Sequence, residues 1–264
     1  MLRRIIMMGL PGLLWLQAPA AAQEAEELAK QLANPVASLI SVPFQNNGDW
    51  GGGPEGNGFN YTLKIQPVIP ITLNEDWNLI SRTILPVSYM DYVPSDMDFG
   101  LGDTSQSFFL SPSKPGPGGL IWGVGPIVQL PTATEDTLGT NQWGFGPTGV
   151  ALVQKDAWTL GALVNHVWTL ETDDAAAGSA TYLQPFVTYA FGRGSSITLN
   201  TESTYNWKAE QWNVPINLVF GQVMKLGKQP VQLQFGGRVY AEAPEGGPDW
   251  GLRAGLVFMF PKGK

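Results

Sequence analysis

The sequence predicts an all-β protein: one antiparallel transmembrane β-barrel of about twelve strands, preceded by a cleaved signal peptide and a short helix. Three observations point there. In the stretch 157–170, Trp158, Leu160, Ala162, Val164, His166, Trp168 and Leu170 fall on one face of an extended chain, because a strand sends alternate side chains to opposite sides. That face is oily and carries a tryptophan near each end. Ten residues of tilted strand put these rings roughly 25 Å apart, the height of the apolar band of an outer-membrane barrel. The second observation is compositional. Charged residues make up 14% of the 264, against about 25% in ordinary soluble domains, yet mean hydropathy is near zero, −0.02. A wall that is oily outside and uncharged-polar inside accounts for both values. The third is that strand-like runs recur to the end of the chain.

Met1 to Ala22 reads as a secretory signal. Arg3 and Arg4 form its charged start, Ile5 to Leu16 its apolar stretch, and Ala20, Ala21 and Ala22 a small-residue cleavage site before Gln23. Its apolar core is too short to span a bilayer comfortably. Residues 23–37 form a short helical segment. Glu24, Glu26 and Glu27 suit a helix start, Leu28 and Leu32 lie one turn apart, and Pro35 ends the run. It is expected to be a leader covering the first strand, with a plug or docking segment as the other reading.

Residues 38–264 form the barrel. Twelve runs, at 38–46, 59–72, 77–90, 101–111, 119–130, 143–154, 157–170, 180–191, 196–207, 214–226, 230–241 and 250–260, are each long enough to cross when tilted, since about 9–11 residues suffice. The late ones alternate most cleanly. Val231, Leu233, Phe235 and Val239 oppose Gln232, Gln234, Arg238 and Glu242, and Trp250, Leu252, Ala254, Leu256, Phe258 and Phe260 oppose Arg253. The register sends Gln106 outward, and Gly144, Gly146 and Gly149 blur the sixth run.

The connections alternate in length. The long set, 47–58, 91–100, 131–142, 171–179, 208–213 and 242–249, holds 14 acidic residues and one basic residue, Lys208. The short set holds Lys114, Lys155, Arg193 and Lys228 against Glu75, Asp76 and Asp156. Outer-membrane barrels carry long outer loops, short periplasmic turns and an even strand number. Both termini are therefore expected in the periplasm. Removing a leader that holds Arg3 and Arg4 leaves 13 basic and 22 acidic residues, a net charge of −9, which disfavours nucleic acid as a partner. The expected partners are outer-membrane lipid, lipopolysaccharide and a small solute.

Several stretches resemble a family of bacterial outer-membrane transporter-like proteins named for the meta-pathway of phenol degradation and often labelled neuromedin U. They are residues 27–35 (ELAKQLANP), 41–45 (SVPFQ), 74–83 (NEDWNLISRT), Gly102-Asp103, Gly125-Pro126, 130–134 (LPTAT) and Gln184-Pro185-Phe186. The resemblance implies an outer-membrane β-barrel and passage of hydrophobic compounds. It brings no catalytic or binding motif.

Candidate function falls on the inward positions. Lys64, Arg82, Asp103, Asn165, Asn200, Glu202, Asn217, Gln232, Gln234, Arg238 and Arg253, with Gln45, Gln66 and Gln184, would line the lumen. They form either a polar conduit or a packed interior in which the four cations pair with Asp103 and Glu202. Asp96 and Asp98, Glu135 and Asp136, and Glu171, Asp173 and Asp174 cluster in outer loops. Carboxylate pairs suit hard cations, but a solvated acidic surface is the expectation. His166 is the only histidine, and no metal site or cofactor is expected. Trp168, two residues on, supplies no nucleophile, so the chain reads as a non-enzyme. The expected role is a passive channel or transporter for small neutral, hydrophobic or aromatic solutes. A closed structural or binding barrel acting through its acidic loops is the alternative, and an outer-membrane hydrolase the third.

Overall fold

A computed structural model describes residues 19–92, 97–170 and 179–261. The expected signal segment therefore falls mostly outside the described residues, as do Asp96, Glu171, Asp173 and Asp174. Helix α1 spans Pro19–Leu32. The strands that follow are β1 (Ile40–Gly52), β2 (Gly58–Ile65), β3 (Val68–Thr72), β4 (Trp77–Met90), β5 (Asp98–Leu101), β6 (Thr104–Pro112), β7 (Leu120–Leu130) and β8 (Gly144–Lys155). The chain continues through β9 (Trp158–Thr169), β10 (Ala180–Gly192), β11 (Ser195–Thr201), β12 (Ser203–Asn206), β13 (Gln211–Leu226), β14 (Gln229–Glu242) and β15 (Trp250–Phe260).

All pairings are antiparallel, and the sheet closes where β15 meets β1. β2 and β3 share one slot between β1 and β4. β5 and β6 share the slot beside β4, and β11 and β12 the slot between β10 and β13. The ring is therefore twelve staves. Two of the breaks sit beside prolines, which offer no N–H to a ladder. Pro67 separates β2 from β3. Glu202, between β11 and β12, donates its N–H to the Pro215 carbonyl at 3.3 Å, and Pro215 returns none.

Alternation holds round the wall. Leu160, Val164 and Leu199 are exposed on the outside, while Arg238 and Arg253 are buried inside. Aromatic rings gather at both ends of the outer surface. Trp50 stacks on Trp250 with centroids 4.7 Å apart at the long-loop end, and Trp158 meets Tyr189 at 4.7 Å at the short-turn end. Gln106 does face outward, and its amide is satisfied there. It accepts from Thr83 Oγ1 at 2.6 Å and donates to Ser81 Oγ at 3.0 Å.

Two expectations are corrected. The first strand runs to Gly52, so Asn47 and Asp49 are inward strand residues instead of loop residues. The polar run Asn46-Asn47-Gly48-Asp49 resembles a turn, but inside a barrel polar side chains are what the inner face calls for. Asp98 and Glu242, also counted as loop acids, lie in β5 and β14. The second correction concerns the helix, which begins at Pro19 and does not cover the first strand. Its buried face, Ala25, Leu28 and Ala29, packs with Leu39 on Val223, Val257 and Met259, and those last three are inward positions of β13 and β15. The helix is thus seated inside the barrel at the short-turn end. Lys225 holds Glu24 at 2.8 Å, and Gln154 Nε2 donates to the Lys30 carbonyl at 2.9 Å.

Candidate functional site: the barrel lumen

The lumen has two unlike walls. One is polar and comes mainly from β1, β2 and β13 to β15. Glu202 Oε1 meets Arg253 Nη1 at 2.8 Å, and its Oε2 meets Lys64 Nζ at 3.5 Å. Arg253 Nε donates to Asn47 Oδ1 at 2.8 Å, and Arg238 Nη2 donates to the same oxygen. Arg238 Nε lies 3.4 Å from Asp49 Oδ1, and its Nη1 donates to the Tyr240 hydroxyl at 3.1 Å. The network extends toward the short-turn end through amides. Gln45 donates to Asn47 at 3.4 Å, Gln66 to Gln45 at 3.3 Å, and Arg82 Nη2 to Gln66 Oε1 at 3.0 Å. Counted from β1, Lys64 is on the second stave and Glu202 on the ninth, five apart in a ring of twelve. Contact between walls so nearly opposite bridges and narrows the bore at this level.

The other wall is apolar. Ile80, Phe109, Val150, Leu152 and Leu163 point inward from β4, β6, β8 and β9 and pack on Val36, with Val68, Ile121, Tyr182 and Phe186 at the edge. Val36 reaches them because the strand beneath it has no side chain. A Cβ at Gly123 would lie 3.1 Å from Val36 Cγ1 and 3.2 Å from Phe109 Cβ.

The long-loop end carries a third layer. Asp103 accepts from the Thr140 N–H at 2.7 Å, from Thr140 Oγ1 at 2.8 Å and from the Asn141 N–H at 3.1 Å. It thereby folds the 131–143 loop toward the mouth. Tyr92 lies across glycines of the same end, where a Cβ at Gly52 would sit 2.6 Å from its Cε1. Burial, with Asp49 and Asp91 nearby, holds its hydroxyl above the ordinary tyrosine range.

The expected lining residues thus separate. Lys64, Glu202, Arg238 and Arg253 form one ionic network, and Arg82 joins it through Gln66. Asn217 donates to Asn200 at 3.0 Å, and Gln234 to Gln232 at 2.7 Å. Asn165 is on the opposite wall and joins none of these bonds. The packed-interior reading expects Asp103 to pair with a cation; among the described residues it bonds the loop at Thr140 and Asn141 instead. Asn47 and Asp49 escaped the sequence reading. The signal that could have found them is the spacing Phe44, Asn46, Gly48, Trp50, which continues the outer face past the apparent turn.

His166 is on the outer surface. Its Nδ1 is 2.8 Å from Thr181 Oγ1, which also accepts from Trp207 Nε1 at 2.8 Å. Its ring meets Trp168 with centroids 4.5 Å apart. Among the described residues, no three acidic or histidine side chains converge on a metal position.

No family model matches the chain, and no curated protein matches it by sequence. Solved structures do match. An outer-membrane channel from Pseudomonas putida F1 superposes with a TM-score of 0.63 at 15% identity, over 84% of this chain and 94% of that one. The fold is that of an outer-membrane β-barrel. The KdgM porin in complex with disordered oligogalacturonate gives 0.49 at 11% identity, over 84% and 99%. Outer membrane phospholipase A from Escherichia coli gives 0.49 at 12%, over 90% and 98%. At that looser level nothing about either protein transfers to this chain.

Proposed function

We propose that the protein is a passive channel or transporter of the outer membrane for small neutral or hydrophobic solutes, aromatic ones included. Its long loops face outward and both termini lie in the periplasm. It belongs, on this reading, with the transporter-like family it resembles. The two-faced bore carries the proposal. A water-filled pore has a polar interior throughout, whereas here one wall offers apolar side chains for the body of a solute and the other offers hydrogen bonds for its polar end. The helix and the cross-lumen ion pairs leave little room for a standing column of water, so ionic current should be small or absent.

The test uses proteoliposomes and planar bilayers. A phenyl glucoside, neutral and slow to cross bare lipid, should enter proteoliposomes faster than protein-free ones. Wild-type conductance should be low, and Arg82→Ala or Arg238→Ala should raise it. If no uptake is seen and both variants stay silent, the closed structural barrel replaces the channel.

One observation favours a second reading, an outer-membrane hydrolase. The Thr181 hydroxyl stands within hydrogen-bond reach of His166, as a nucleophile and base must. Trp207 already donates to that hydroxyl, and no carboxylate among the described residues pairs with the imidazole to orient it. The channel is therefore the stronger reading. Ester hydrolysis that disappears in Thr181→Val would reverse that order.

A further inference from the structure

A cavity of about 240 Å³ lies in the lumen between the C-terminal turn of α1, the segment leading into β1, and the polar wall. We propose that it binds a small organic monocarboxylate, with the carboxylate on Arg82 and Arg253 and the apolar body against Phe186, Val68 and Leu32. This rests on the channel reading and departs from it in one respect: the hydrophobic or aromatic solute that the channel holds carries a single carboxylate and is not neutral.

Charge is the first argument. Lys64, Arg82, Arg238 and Arg253 face Asp49 and Glu202, so this part of the lumen keeps two positive charges in excess among the described residues. Glu202 is shared by Arg253 and Lys64, and Asp49 is engaged by Arg238. Among the described residues Arg82 pairs with no carboxylate, and its Nη2 donates to the neutral amide of Gln66. Arg253 is 6% exposed, and its Nη2 has no partner. Arg82 is half-buried and lacks a counter-ion among the described residues, and Arg253, although ion-paired, keeps one buried N–H group unsatisfied, which is costly. A planar guanidinium with free N–H groups matches a carboxylate through two parallel hydrogen bonds.

Shape is the second argument. Both arginines and Glu202 line the cavity, and Phe186, Val68 and Leu32 line it as well. A dry cavity of about 150 Å³ accepts benzene, so this one has space for a ring and a carboxylate. Glu202 on the same wall repels a second negative charge, which favours a monoanion over a dianion. A neutral solute would leave Arg82 without a charged partner, and a cation would meet the excess positive charge.

The experiment is calorimetric titration of the full chain, folded in detergent, with benzoate and with benzamide, its neutral isostere. Benzoate should bind at least tenfold more tightly. Arg82→Gln should reduce benzoate binding to the benzamide level and leave benzamide unchanged, with heat-modifiable gel mobility reporting whether the variant folds. Equal binding of the two probes to the wild-type protein, or no binding of either at millimolar concentration, overturns the proposal even if the variant does not fold. Benzoate preference without glucoside uptake keeps the site and removes the channel. Uptake without benzoate preference keeps the channel and removes the site.

Discussion

The polar and apolar walls of this lumen solve the same closure in different ways. On the polar wall the ladder runs through β13, β14, β15 and β1 with a single register shift, between Val214 and Pro215, and sets Asn217 opposite Arg238, Gly236 opposite Arg253, and Arg253 opposite Asn47. Directional bonds between inward side chains tie those staves to one register. On the apolar wall the pairing thins. The β6–β7 ladder is interrupted between the Ser107–Ile127 and Leu110–Val124 pairs. The β8–β9 ladder is interrupted between Phe145–Trp168 and Thr148–Asn165. Pro126 and Pro147 stand opposite each other in the middle of this wall, and neither can donate to a ladder. Packing of Ile80, Phe109, Leu152 and Leu163 is non-directional. It tolerates missing hydrogen bonds and small residues where a charged network would not. Strength on one side therefore comes from geometry, and on the other from burial.

The largest effect should come from breaking the geometric side. Glu202→Gln leaves Arg253 and Lys64, two staves apart on the polar wall, with no carboxylate between them. Removing one partner of a buried ionic group typically costs about 3–5 kcal/mol. Urea unfolding of the detergent-folded barrel should show a loss of that size. A double variant, Glu202→Met with Arg253→Met, should recover much of it, because the more deeply buried of the two cations is then gone and Lys64, one-third exposed, is left to water. A loss under about 1 kcal/mol in the single variant would mean that water reaches this layer.

A smaller effect is expected on the apolar side. Leu152 is 2% exposed, and truncating a buried leucine costs about 2–5 kcal/mol depending on how far the site can collapse. Val36 arrives on a segment outside the barrel wall and is free to settle inward, so Leu152→Ala should fall near the low end, about 2 kcal/mol. Bilayer conductance should hardly change, since the cross-lumen ion pairs remain. If Leu152→Ala opened the pore and Glu202→Gln did not, the assignment of the two walls would be inverted.

The walls also differ in how legible they were. β4 and β15 fall on the predicted bounds, and the polar inner positions of β14 and β15 were readable because each charge or amide alternates with an oily outer neighbour. The apolar wall was not readable as a wall. Val150, Ala151, Leu152 and Val153 are apolar on both faces, so periodicity marks a strand without saying that its inner face is dry. Asp49 was hidden for the opposite reason, since four polar residues in a row imitate a loop. The partners of Glu202 were half visible. Its pairing with cations follows from the count of inward charges, but which of them it meets depends on the closure of the ring, which no local pattern encodes. Helix α1 showed its apolar stripe plainly, yet the stripe does not tell whether it meets the outside or the inside of a barrel.

That helix gives the smallest expected effect, because it touches both modes of closure. Lys225 and Glu24 form an ion pair at 2.8 Å, with side chains 49% and 48% exposed. Pairs so accessible contribute about 0.2–1 kcal/mol, and salt screens them. Ala25, Leu28 and Ala29, by contrast, are buried on Val223, Val257 and Met259, and burial of a leucine side chain alone is worth about 1.5–3 kcal/mol. Lys225→Ala should thus lower stability by under about 1 kcal/mol and leave the helix seated, with conductance unchanged at low and high salt. Leu28→Ala should loosen the helix more than Lys225→Ala does. A site-specific label on Gln31 would report this as increased mobility in electron paramagnetic resonance. If Lys225→Ala frees the label and Leu28→Ala does not, the helix is held by an electrostatic latch, and the apolar seat is only where it rests.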